Sequence, residues 1–175
     1  ELRRAIAAKI EERSGVRYDP ATEIIVTIGA SEAVDVAVRG TIGPGDQIVL
    51  PEPSYVAYLP AVVFAEGSAV PVPTSARDNW RLHPEAVDAA SSGAKALFLG
   101  YPANPTGATL DEATREALAK IAVARDLVAC AGTEVSDLGF DREALWALGL
   151  YHPVFHVGGV SAGLGEGAHH GAGAQ

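Results

Sequence analysis

Leu2, Ile6 and Ile10 recur at every fourth position, so residues 1–13 read as a helix with one apolar stripe. The run EIIVTIG (23–29) is almost continuously apolar, the pattern of a strand buried on both faces. Ser31 to Arg39 reads as a helix opened by the turn Gly29-Ala30-Ser31, and Pro44-Gly45-Asp46 turns the chain into a second strand at 47–50. A helix is expected over 54–65 after Pro51 and Pro53, a short strand at 69–72, and a helix at 84–90 with proline in its first turn. Strands at 95–99, 127–131 and 154–157 alternate with helices at 111–125 and 142–148. Such alternation predicts an α/β fold, a three-layer αβα sandwich around a mostly parallel sheet.

After Gly158 the periodicity stops. The glycine-rich stretch that follows lacks the apolar residues needed to order itself, so 161–175 reads as a mobile tail behind a domain at 1–160. A chain of 175 residues suffices for one core, and 48% hydrophobic with 20% charged residues are globular values. A net charge of −9 and the lack of any basic stripe argue against a nucleic-acid partner. The longest apolar stretch, near 57–65, contains a proline and is too short to span a bilayer. One cysteine, Cys130, excludes an internal disulfide and fits a reducing, cytoplasmic setting. Met is absent throughout, and the chain reads as one cut from something longer or relieved of its first residues.

Three stretches carry candidate chemistry. Gly29-Ala30-Ser31 lies where a strand gives way to a helix, which makes it either a phosphate-holding helix start or a plain N-cap. EPSYVAY (52–58) puts Tyr55 just after a strand, where its ring would stack on a flat ligand or fill the core. YPANPTG (101–107) sets prolines on both sides of Asn104. Each proline holds the residue before it out of helix, so the stretch is either an ordinary rigid turn or a stiff loop presenting Asn104 at the carboxyl end of a strand. His156, His169 and His170 do not make a convincing metal site, since two of them lie in the glycine-rich tail without a supporting scaffold.

Taken in order, YDPATEIIVTIGASEAV, GDQIVLPEPSYVAY and KALFLGYPANPTGATL resemble the class I/II aminotransferases, the fold type I enzymes that use pyridoxal 5'-phosphate (PLP). The resemblance is specific from Glu1 to about Gly107 and looser to about Gly159, covering most of the family's large domain. It implies amino transfer between an amino acid and a 2-oxo acid, and a possible homodimer. It implies that Ala30 and Ser31 bind the cofactor phosphate, that Tyr55 stacks on the pyridine ring, and that Asn104 bonds the ring's phenolic oxygen. It also makes Asn104–Pro105 a candidate cis bond.

Downstream the chain departs from the family's pattern. Gly132 stands where an aspartate usually pairs with the pyridinium nitrogen, and Val135 stands where a tyrosine is usual; Glu134 and Asp137 are out of register. Ala162 stands at the position of the Schiff-base lysine, and Lys9, Lys95 and Lys120 do not match it. The resemblance with these departures implies an inactive fragment or degenerate member, or else a non-catalytic PLP-binding or dimerisation module. The strand 23–28 would pair in the family with an antiparallel strand beyond the lysine segment. Here it is expected to have an open or poorly paired edge.

Overall fold

The computed structural model describes residues 1–15, 17–133 and 155–158. The helix expected at 142–148, the residues Glu134, Val135, Asp137 and Ala162, and the tail at 161–175 lie outside that range. Five strands form one parallel sheet: β1 (Gln47–Glu52), β2 (Ser68–Pro73), β3 (Ala96–Gly100), β4 (Val128–Thr133) and β5 (Phe155–Gly158). Their order in space is β2-β1-β3-β4-β5. Register is fixed by Ile48 opposite Ala96, Phe98 opposite Cys130, and Cys130 opposite Phe155. The edge strand β2 carries Pro71 and Pro73, which an edge tolerates because one side of its ladder needs no donors.

Helices cover both faces. α2 (Gly29–Thr41) and α3 (Tyr58–Phe64) pack on one, while α4 (Pro84–Ala90) and α5 (Glu112–Ala124) pack on the other. The division follows from the alternation of side chains along a strand. In β3, Ala96 and Phe98 join the cluster containing Val34, Val38 and Val62, whereas Leu97 and Leu99 join the one containing Val87 and Leu118. The three-layer sandwich expected from the alternation of elements is the fold observed.

Two expected elements differ. EIIVTIG does not form a strand: residues 24–27 are irregular, Ile24 alone is buried, and Ile25 and Ile28 are 73% and 92% exposed. An apolar sequence supplies the buried side chains of a strand but not its hydrogen-bond partners, and among the described residues none runs beside this segment. The expectation is a strand with an open edge; with no strand formed here, the segment has no ladder whose edge could be open. The second difference is the start of α3, at Tyr58 rather than 54. Pro60 explains it: in a helix from 54 it would break an interior bond, whereas from Tyr58 it falls in the first turn, where no donor is needed.

α1 (Leu2–Ser14) keeps the expected stripe, but Ile6 and Ile10 are only half-buried and Leu2 is exposed. At α5 the Asp111 carboxylate accepts the Thr114 N–H at 2.7 Å, capping the helix where the sequence placed its start.

Candidate functional site

In a parallel sheet every strand ends on the same edge, so the loops after β1 and β3 are neighbours there. Tyr55 lies in the loop after β1, and Asn104 in the loop after β3. α2 brings the third element. Its cap residue is Ile28, whose side chain makes no capping bond, so Ser31 is not an N-cap. Instead the Ser31 hydroxyl lies 2.8 Å from the Tyr55 hydroxyl, a hydrogen bond that ties the start of α2 to the loop after β1.

Tyr55 is half-buried, packed edge-on against Tyr58 with ring centroids 5.7 Å apart. Tyr58 is the true core tyrosine, stacked on Phe98 at 4.7 Å. This packing needs a glycine at the end of β3: a Cβ on Gly100 would stand 2.3 Å from the Tyr58 hydroxyl. Gly100 therefore lets the Tyr55–Tyr58 pair approach the strand that leads to Asn104.

Asn104 is half-buried in a tightly closed loop. The Ala103 N–H donates to Ala108 O at 2.8 Å, and the Gly107 N–H donates to Ala103 O at 2.6 Å. Gly107 takes a left-handed φ of 72°, the conformation glycine adopts without strain. The Asn104–Pro105 bond is cis, as are Glu52–Pro53 and Tyr101–Pro102. Tyr101 is buried, and loss of solvent pushes its phenol up to about 12, so it stays neutral beside the loop.

The start of α2 holds a residue that the sequence pattern did not single out. The Glu32 carboxylate accepts the N–H of Ile28, and the Thr27 hydroxyl donates to Gly29 O at 3.0 Å. The available signal was its spacing, an acidic residue in the first turn four places after the cap. Gly29 has a φ of 80°, and open space lies where its Cβ would be. Ala30 is half-buried against the core behind the turn.

The first amides of a helix have no partner within it, so those of Gly29, Ala30 and Ser31, together with whichever hydroxyl of the Ser31–Tyr55 pair does not donate to the other, form a donor set suited to a phosphate dianion. The three lysines lie on other elements. Lys95 precedes β3 on the opposite edge, with Nζ 2.7 Å from Asp46 Oδ2. Lys120 is on α5 facing Glu116 at 3.7 Å, and Lys9 is on the exposed α1. Gly132 sits in β4 beside Gly100 and Val157 and offers no carboxylate. An open hollow of ≈ 610 Å³ lined by Glu52, Pro53, Tyr55, Val56, Leu59 and Thr74 lies nearby, but neither Ser31 nor Asn104 lines it. Among the described residues no group of three metal-ligating side chains occurs, and no helix is long and apolar enough to cross a membrane.

A parallel sheet between two helix layers, with candidate ligand loops on one edge, defines an α/β protein of the kind whose ligands bind outside the strands' carboxyl ends. The family model for aminotransferase class I and II matches residues 1–130, and the chain belongs to that family. It is 42% identical over 143 residues to a probable N-succinyldiaminopimelate aminotransferase, DapC, of Mycobacterium tuberculosis, covering 81% of this chain and 36% of that protein. It is 36% identical over 129 residues to an aspartate aminotransferase of Pyrococcus abyssi, covering 73% of this chain and 33% of that one. The solved N-succinyldiaminopimelate aminotransferase of M. tuberculosis superposes with a TM-score of 0.70 at 42% identity, over 75% of this chain and 35% of that one. A mutant aspartate aminotransferase of Thermus thermophilus gives a TM-score of 0.75 at 32% identity, over 82% and 41%. The chain thus spans little more than a third of the relatives it matches.

Proposed function

We propose that this chain holds pyridoxal 5'-phosphate at the carboxyl edge of its sheet without carrying transamination through. When bound, that cofactor supplies an electron sink for chemistry at the α-carbon of an amino acid. The amides of Ala30 and Ser31 hold its phosphate, the Tyr55 ring stacks on its pyridine, and Asn104 bonds its phenolic oxygen. The observation that carries this reading is the asymmetry of the sheet. Donors for a phosphate gather at one edge, while Lys9, Lys95 and Lys120 lie on an exposed helix, at the opposite edge and on α5. No amine is therefore positioned to attach the cofactor or to move a proton at the substrate α-carbon. The reaction that the family resemblance implies is amino transfer between an amino acid and a 2-oxo acid.

Titration of the chain with PLP, followed by visible absorbance, tests the site. Saturable binding is expected, weakened by Tyr55→Ala and by Asn104→Ala, with pyridoxal binding less tightly because it lacks the phosphate. Absence of saturable binding, or equal binding of the two vitamers, would overturn the reading.

A second reading, a module that pairs with another copy of itself, is favoured by the exposed apolar residues Val56, Leu59, Val63 and Phe64 on and before α3. Sedimentation of the wild type against Val63→Glu decides it: a dimer that the charge dissociates supports pairing, and a monomer in both removes it.

A further inference from the structure

Glu32 presents a difficulty for a phosphate site. It places an acidic side chain in the first turn of α2, the end at which the cofactor's dianion is expected. The helix dipole welcomes either anion there, but two anions side by side repel. Its contacts indicate which role it takes. The carboxylate reaches back to the N–H of Ile28, outside the helix, rather than to the amides of Gly29, Ala30 or Ser31. The segment leading to Ile28 has no strand pairing to hold it, since 24–27 are irregular and Ile28 is exposed. Among the described residues, two short-range hydrogen bonds hold the turn on that side. Glu32 grips the N–H of Ile28, and Thr27 grips the carbonyl of Gly29. On the other side Ser31 is tied to Tyr55.

We propose that Glu32 is a positioning residue for the phosphate turn: by taking the Ile28 N–H it holds the turn so that the next three amides face outward. This rests on the cofactor reading above for the identity of the ligand, but the grip itself is a property of the free chain. It assigns opposite consequences to two substitutions. Glu32→Gln keeps an acceptor oxygen and loses the charge, so the turn stays formed and repulsion falls. Glu32→Ala, a good helix residue, loses the acceptor and leaves the turn loose.

Amide hydrogen exchange without ligand tests the grip. Exchange at Ile28 is expected to speed up about tenfold in Glu32→Ala, the loss of one hydrogen bond to a charged group, and to stay near wild type in Glu32→Gln. Binding of PLP and of pyridoxal tests its consequence. Glu32→Ala is expected to weaken PLP about fivefold to tenfold while leaving pyridoxal unchanged, and Glu32→Gln to bind PLP at least as tightly as the wild type. A merely structural defect would weaken both vitamers alike. Tighter PLP binding by both variants would make Glu32 a competitor and overturn the proposal, as would unchanged exchange at Ile28 in Glu32→Ala. Failure of the wild type to prefer PLP over pyridoxal would overturn the cofactor reading instead, leaving the grip to be judged by exchange.

Discussion

EIIVTIG and ALFLG are both short apolar runs, and both lead straight into a candidate site segment. ALFLG becomes β3, paired with β1 on one side and β4 on the other, with Ala96 to Leu99 buried. EIIVTIG becomes an exposed, irregular lead into α2. The side chains of the two runs are equally suited to burial. The difference lies in neighbours: a strand exists where its N–H and C=O groups find partners, and hydrophobicity alone does not supply them. The loop after β3 consequently sits on a rigid base, whereas the turn before α2 depends on local contacts by Thr27, Ser31 and Glu32.

The largest expected effect comes from the paired run. Phe98→Ala removes a ring stacked on Tyr58 at the centre of one core, and a loss of about 3–5 kcal/mol is expected in urea unfolding. Ile28→Ala in the unpaired run is expected to cost no more than about 0.5 kcal/mol. Equal losses at the two positions would break the comparison. Gly100→Ala comes next. Its methyl must displace the Tyr58 hydroxyl, so a loss of about 1–3 kcal/mol is expected, with PLP affinity falling as Tyr55 shifts. A neutral Gly100→Ala would show that the core tyrosine does not tie the two site loops together. Asp111→Ala, which uncaps α5 far from the unpaired run, is expected to cost about 1 kcal/mol and leave exchange at residues 24–28 untouched.

Much of this was legible in the sequence. The alternation of Ala96, Leu97, Phe98 and Leu99 between two faces, the proline-opened α4, and the turn at Pro44-Gly45-Asp46 are local signals, and the chain follows them. The positions of Tyr55 and Asn104 after parallel strands followed from element order. The state of 23–29 depends on a partner distant in sequence, which among the described residues does not run beside it and which periodicity within seven residues does not register. The Ser31–Tyr55 bond and the reach of Glu32 were hidden for the same reason: each depends on where α2 starts in space, and Ile28, an unconventional cap, gives no sequence cue for it.

The smallest effect expected is on pH dependence. Asp46, Asp88 and Asp111 are held below the usual carboxylate range, chiefly by hydrogen bonds from Lys95, Arg125 and Thr114 respectively. Depressed carboxylates stabilise above their unfolded value of about 3.9, and that contribution is lost as pH falls through the lower folded values. Urea midpoints should therefore be level from neutral pH to about 5 and decline below about 4. The Asp46–Lys95 and Asp88–Arg125 ion pairs keep substantial side-chain exposure, so their part of the decline should be shallow and weaken further in high salt. A midpoint that rises on acidification would show the ion pairs to be unimportant.

The most direct test of the site is to mix the chain with PLP, reduce with borohydride, map any labelled peptide by mass spectrometry, and assay amino-acid-dependent turnover in parallel. The expected result is visible absorbance that washes away, no single labelled lysine, and turnover equal to free PLP in solution. A stoichiometric label on Lys9, Lys95 or Lys120 together with turnover above that background would contradict it, because an amine would then reach an edge of the sheet where none is placed.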